Sequence, residues 1–380
     1  MKHILITTVA LLFCLIQTGR SQQAIATESC ASRCSIESAA AFLQMAQRAM
    51  QGTQPAEADW QKLFATEGYQ RLFEVMGDKW KGYIRQAFPV AFDPTRQAAL
   101  DSLSAKPAQG WSVEEFMMHN FASMKPHIDE LEALLTQSHF DELFRRADAR
   151  VREFLPEKYR QATPRYKDFH FVCMDPESRT MEGDIFMDVY SFFYEGEQGM
   201  VNLLAHEMHH TFWDLPYAEK YRETDDAVIR TLRRMQVEGM ADMINKITMP
   251  TDRLGAYGPE FVEMYNQAYA DTPEALQVLD EMVQGYLDKQ VPQDIYDAAT
   301  EVALYGGHTG GDYMVFLIRD RLGMEAAVNM CGDIVAFVKL YNEAARQAGT
   351  YVFSDRFVNH VEKVMEGLRK GKDKNGSSGK

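Results

Sequence analysis

The 380-residue sequence predicts a predominantly α-helical fold with one small β-sheet, an α+β arrangement, and three observations carry that expectation. Apolar residues recur at three- and four-residue spacing through most of the chain, which is the period of an amphipathic helix. Two short stretches after Pro164 depart from it: Phe169 to Met174 is a compact apolar run, and Asp184 to Tyr190 comes close to strand-like alternation. Hydrophobic residues make up 46% and charged residues 25%, ordinary globular proportions that leave enough apolar surface for a sizeable core.

Taken in order, residues 1–21 read as a secretory leader. Lys2 supplies the positive start, Ile4 to Ile16 are almost wholly apolar, and no acidic residue precedes Glu28. Cleavage is expected after Ser21, with Ala26 as the alternative, and the mature chain is expected in the periplasm or outside the cell. The apolar run is too short for an anchor and no later one is long enough to span a bilayer, so no stable membrane insertion is expected once the leader is gone. Bulky Phe13 occupies the place where a lipoprotein leader needs a small residue, so Cys14 is read as leader core and not as a lipid attachment point. Cys30, Cys34, Cys173 and Cys331 remain, an even number that permits disulfides in an exported chain with three possible pairings. The net charge of −15 argues against nucleic acid or an anionic membrane surface as a partner.

Residues 22–155 read as a helical N-terminal region. Helical periodicity covers Ile36 to Met50, Trp60 to Met76, Ser112 to Met124 and His127 to Leu143, with a turn at Pro107 to Gly110 and a capping box formed by Ser112 and Glu115. The two strand-like stretches follow, separated by the turn residues Asp175 to Ser178. A helix is expected from Glu197 to Trp213, broken by Asp214-Leu215-Pro216. Asp225 or Asp226 caps the next one, which runs to Lys246 before Met249-Pro250. Pro273 to Leu287 and Asp294 to Leu304 read as helices. The glycine cluster Gly306 to Gly311 leads into a helix from Asp312 to Leu322, and Glu325 to Ala348 and Asp355 to Arg369 complete the set. Residues 370–380 are polar and low in complexity, the composition of a disordered tail.

The helix after the strands carries His206-Glu207-Met208-His209-His210, an H-E-x-x-H pattern. Residues four apart share a helical face, so His206 and His210 can grip one Zn²⁺ while Glu207, one step round, reaches a water beside it. Two neutral imidazoles and one general base are what metal-assisted hydrolysis needs. His209 lies off the ligand face and reads as a packing residue. A third ligand in the form of a histidine six residues after His210 is excluded, because Pro216 stands there. Val237-Glu238-Gly239-Met240-Ala241-Asp242 on the next helix offers Glu238 instead, with Asp225 and Asp226 as rivals. Gly239 would let this helix pack closely on the first, and Asp242 is placed to hold the far nitrogen of a ligating histidine.

H-E-x-x-H followed by E-x-x-x-D on a later helix resembles the gluzincin metallopeptidases. The longer form, H-E-M-H-H with E-G-M-A-D after a mostly helical N-terminal part, resembles a bacterial family of zinc-dependent peptidases. The likeness runs from about Tyr166 to Gly323, with a longer spacing to Glu238 than the gluzincin pattern. It implies a gluzincin-like catalytic core in residues 156–369, Zn²⁺ as cofactor, His206, His210 and Glu238 as ligands, Glu207 as base, Asp242 behind the ligands, and a peptide or protein substrate. It also implies a histidine or tyrosine that stabilises the oxyanion. His308 is the candidate, flanked by glycines that admit a ligand, with Tyr305 and Tyr313 behind it. Asp184 to Tyr190 resembles the edge strand along which such enzymes bind an extended substrate, and Tyr190, Phe192, Phe193 and Tyr194 line pockets there or fill the core. A binding-only protein on the same fold, or a zinc hydrolase of another amide or ester, are the competing functions.

Overall fold

The computed structural model describes residues 33–107, 111–163, 165–246 and 257–376. It is mostly helical with one small mixed sheet, in the order β1 (Cys34–Ser35), α1 (Glu37–Met50), α2 (Glu57–Phe64), α3 (Glu67–Met76), α4 (Lys79–Phe92), α5 (Gln97–Ser104), α6 (Val113–Met124), α7 (Ile128–Gln137), α8 (Phe140–Glu153), β2 (Phe169–Val172), β3 (Arg179–Met181), β4 (Asp184–Asp188), α9 (Val189–Tyr194), α10 (Gly196–Lys220), α11 (Ala227–Asn245), α12 (Pro259–Ala270), α13 (Thr272–Leu287), α14 (Gln293–Asp297), α15 (His308–Leu322), α16 (Met324–Asn329), α17 (Ile334–Ala348) and α18 (Asp355–Gly376). The expected leader with Cys14, Cys30, and Met249-Pro250 lie outside the described residues. No described helix is long and apolar enough to cross a membrane. Among the described residues Cys34, Cys173 and Cys331 form no disulfide with one another.

The chain forms two compact units. The first gathers the described parts of residues 1–147, 165–207 and 253–264. Its helical core is aromatic: Phe42 of α1 meets Phe88 and Phe92 of α4 and Phe121 of α6, with ring centroids 4.7 to 5.9 Å apart. Ser112 accepts from the Glu115 N–H while the Glu115 side chain accepts from the Ser112 N–H, the expected capping box at the start of α6. The sheet runs β1-β2-β4-β3, with β1, β2 and β4 parallel and β3 antiparallel to β4. Two of its strands escape the sequence reading. β1 is only two residues long, and β3 joins β4 through Glu182 and Gly183, both at positive φ (50° and 90°), a primed turn without the usual Asn-Gly signature. Asp184–Asp188 is therefore an interior strand, and β1 and β3 are the edges among the described residues, which corrects the expectation for Asp184 to Tyr190. That strand also stops early, because the buried Asp188 carboxylate accepts from Ser191 N–H and starts α9. Phe192 is fully buried there and Tyr194 is half exposed.

The second unit gathers the described parts of residues 148–164, 208–252 and 265–380. Helix α10 does not break at Pro216 but continues to Lys220. Proline removes one ladder hydrogen bond, and tertiary contacts outweigh that loss. A Cβ at Gly332 would come within 2.7 Å of the Pro216 ring, so this bend packs tightly there, and Asp333 fastens the last turn through Lys220 (2.7 Å) and Tyr221 (3.2 Å). Gly332 at φ 72° also splits the single helix expected over Glu325 to Ala348 into α16 and α17. Helix α15 begins at His308, four residues before the expected Asp312, taking Gly310 and Gly311 inside it. The reason is α11: a Cβ on Gly311 would stand 2.1 Å from the Met235 carbonyl oxygen, and one on Gly239 would stand 2.4 Å from the Gly311 carbonyl. Gly239 thus admits α15, not the H-E-x-x-H helix as expected. Helix α18 extends through Gly376, into the segment read as a disordered tail.

Candidate metal centre

Helix α10 carries His206 and His210 one turn apart on the same face. The Asp226 carboxylate accepts from Ile229 N–H at 3.0 Å and so starts α11, which disposes of that residue as a rival ligand and sets the register that presents Glu238. Glu238 Oε2 lies 3.4 Å from His210 Nε2. One donor atom from each of His206, His210 and Glu238 falls within 4.8 Å of the others. A tetrahedral ion with bonds of about 2.1 Å needs ligand atoms about 3.4 Å apart, so two imidazoles and a carboxylate here fit zinc after small side-chain adjustments. His206 is buried, whereas His210 and Glu238 are partly open, so the donor set is exposed on one side.

Glu207 is also buried. Thr180 Oγ1, on edge strand β3, lies 2.8 Å from Glu207 Oε2 and 2.8 Å from the Glu207 carbonyl oxygen. A hydroxyl has one proton, so the two acceptors share it, and its contact with Oε2 orients the carboxylate. Sequence reasoning missed Thr180; a lone threonine on a three-residue strand has no local signature. His209 is fully buried, its pKa pushed down to about 3 by burial and by His210, and it lies outside the donor cluster.

His308 comes to Glu238, with Nε2 3.5 Å from Oε2. Its Nδ1 lies 2.6 Å from Asp242 Oδ2. An ionised carboxylate only accepts, so Nδ1 carries a proton and Nε2 is the nitrogen turned toward Glu238. Burial opposes the charge on His308, but Asp242 and then Glu238 outweigh it and push the pKa up to about 9. Asp242 was expected to hold a ligating histidine; the same oxygen instead binds His308 and, at 2.7 Å, Lys246 Nζ. Lys246 in turn lies 3.3 Å from Asp312 Oδ2, which accepts from Tyr265 at 2.6 Å. Burial works against the Lys246 ammonium, yet Asp242 and Asp312 raise its pKa, while burial and repulsion from Asp242 push Asp312 well above the carboxylate range. Lys246, one turn beyond Asp242, was legible as a helix pair; Asp312 and Tyr265 were not.

Tyr305 adopts a left-handed conformation (φ 49°, ψ 45°) and packs on Tyr265 with ring centroids 5.5 Å apart. Tyr313 does not turn to the donor set: its hydroxyl pairs with Thr350 Oγ1 at 2.7 Å.

Residues 60–350 match the family described as "Putative zinc dependent peptidase (DUF5700)". The chain belongs to this family. Zinc is the cofactor that membership carries, and the matched span of the zinc dependent peptidase family takes in Thr180, the H-E-x-x-H pattern, Glu238, Asp242 and His308. No curated protein and no solved structure matches the chain.

Proposed function

We propose that the protein is an exported zinc metallopeptidase of gluzincin type that hydrolyses peptide bonds. The observation that carries the reading is the convergence of His206, His210 and Glu238 beside a buried Glu207. Zinc held there would polarise the scissile carbonyl and acidify the water that attacks it. Glu207 takes the proton of that water and returns it to the leaving amine, and Thr180 keeps its carboxylate aimed. His308 Nε2 is the donor for the oxyanion, with the ring oriented by Asp242 and Asp242 in turn held by Lys246. Edge strand β3, which carries Thr180, is where an extended substrate would add its backbone hydrogen bonds.

The direct test is incubation of the zinc-loaded chain with a mixed peptide library. Cleavage that chelation abolishes supports the reading; zinc without peptide cleavage would favour a binding-only protein or an amide or ester hydrolase. Glu238→Ala is expected to lose zinc in a chelator competition, whereas Asp242→Ala, which acts through His308, is expected to keep zinc in the variant that remains folded. Wild-type affinity in Glu238→Ala would require another third ligand. Export is proposed from the leader composition, and mass spectrometry of the mature N-terminus is expected to give Gln22; a diacylglyceryl adduct on Cys14 would overturn it.

A further inference from the structure

A second group of ligand-type side chains sits at the starts of two parallel strands. Asp168 immediately precedes β2, His170 lies within it, and Asp184 opens β4. The register pairs Phe169 with Ile185 and His170 with Phe186, and Ile185 N–H donates to the Asp168 carbonyl at 2.9 Å. Because side chains alternate along a strand, positions 168 and 170 share one face, and the register puts 184 on that face beside them. One donor atom from each of Asp168, His170 and Asp184 falls within 4.8 Å of the other two.

His170 makes this more than an acidic cluster. It is 2% exposed, and neither ring nitrogen has a hydrogen-bond partner among the described residues. Its Nε2 stands 3.7 Å from Asp184 Oδ1, beyond hydrogen-bond reach, while Phe186 stacks on the ring at 5.2 Å and holds it in that plane. Buried polar atoms are hydrogen-bonded as a rule, and a buried imidazole that lacks such a bond beside two carboxylates leaves a ring nitrogen for an ion. Arg71 Nε donates to Asp184 Oδ2 at 2.6 Å, which leaves Oδ1 turned to His170. The Arg71 charge is shared with Glu74 and Glu182, at 3.0 and 2.9 Å. A cleft of about 330 Å³ lined by Arg33, Cys34, Glu37, Glu67, Asp168 and His170 gives access from solvent.

We propose that Asp168, His170 and Asp184 form a second divalent-cation site. One imidazole with two carboxylates selects an ion that accepts both nitrogen and oxygen donors, zinc or manganese ahead of calcium or copper(I), and the two carboxylate charges balance the ion. The site does not depend on the peptidase reading, because it shares no residue with the first donor set.

The test is a count of zinc ions on the full chain after zinc loading and desalting, by native mass spectrometry. Wild type is expected to hold two. Asp168→Asn, nearly isosteric and only half buried, is expected to hold one, as is His170→Phe, which keeps a ring against Phe186. His210→Ala is expected to hold one, and Asp168→Asn combined with His210→Ala none. A wild-type count of one that His210→Ala abolishes would overturn the proposal and leave His170 as a proton-carrying partner of Asp184. So would a count of two in both Asp168→Asn and His170→Phe. A count that falls in Asp168→Asn but not in His210→Ala would keep this site and sink the first one.

Discussion

Glu207→Gln is expected to lower peptide hydrolysis by about 10²–10⁴-fold while zinc content and folding stay at the wild-type level. The amide has nearly the shape of the carboxylate and can still accept from Thr180 Oγ1, so the buried pocket is not emptied. What it loses is the ability to take a proton. The residue is outside the donor set of His206, His210 and Glu238, so the metal should remain. His308→Ala should also keep zinc and cost less than Glu207→Gln, since one oxyanion donor is removed and proton transfer is not. The measurement is kcat on a peptide found in the library screen, alongside zinc content of each variant. Full activity in Glu207→Gln would end the proposed mechanism, whatever the motif suggests.

Gly311→Ala is expected to destabilise the chain by about 3 kcal/mol or more and to release zinc with the lost structure. The added Cβ would meet the Met235 carbonyl oxygen at 2.1 Å and the Gly239 amide nitrogen at 2.7 Å. Both are backbone atoms, so no side chain can swing aside and the two helices must separate. Helix α11 presents Glu238 and Asp242, and α15 presents His308, so separation dismantles the site as well as the crossing. Gly367→Ala on α18 is the control, because nothing stands within 4 Å of its Cβ position. It should stabilise by roughly 0.5–1 kcal/mol through helix propensity alone. Urea midpoints of the three proteins decide the matter: a wild-type midpoint for Gly311→Ala would show that α11 and α15 do not approach as closely as described.

How much could be read in advance differs between elements for identifiable reasons. The helices α1 and α6 were legible because their apolar periodicity and, for α6, the Ser112–Glu115 box are local. Helices α4 and α5 lie in the region read as helical but without bounds of their own, α12 was overlooked, and two long helical patterns proved to be pairs, α2 with α3 and α7 with α8. Short interruptions such as Ala65-Thr66 leave the apolar period nearly intact, so periodicity alone overruns them. Strand β3 was hidden because three residues are too few to show alternation, and its discovery moved the sheet edge from Asp184–Asp188 to Arg179–Met181.

By itself the sequence determined the predominance of helix and the spacing that sets His206 and His210 on one face, since each depends only on the helical repeat, whereas the meeting of Glu238 with them needed the packing of two helices. Tertiary structure alone decided that α10 passes through Pro216, that Gly239 receives Gly311, that Asp242 serves His308 and Lys246, that Thr180 reaches Glu207, and that Asp168, His170 and Asp184 share one face of the sheet. These depend on residues far apart in the chain, whose meeting is set by packing and backbone clearance and not by any local period.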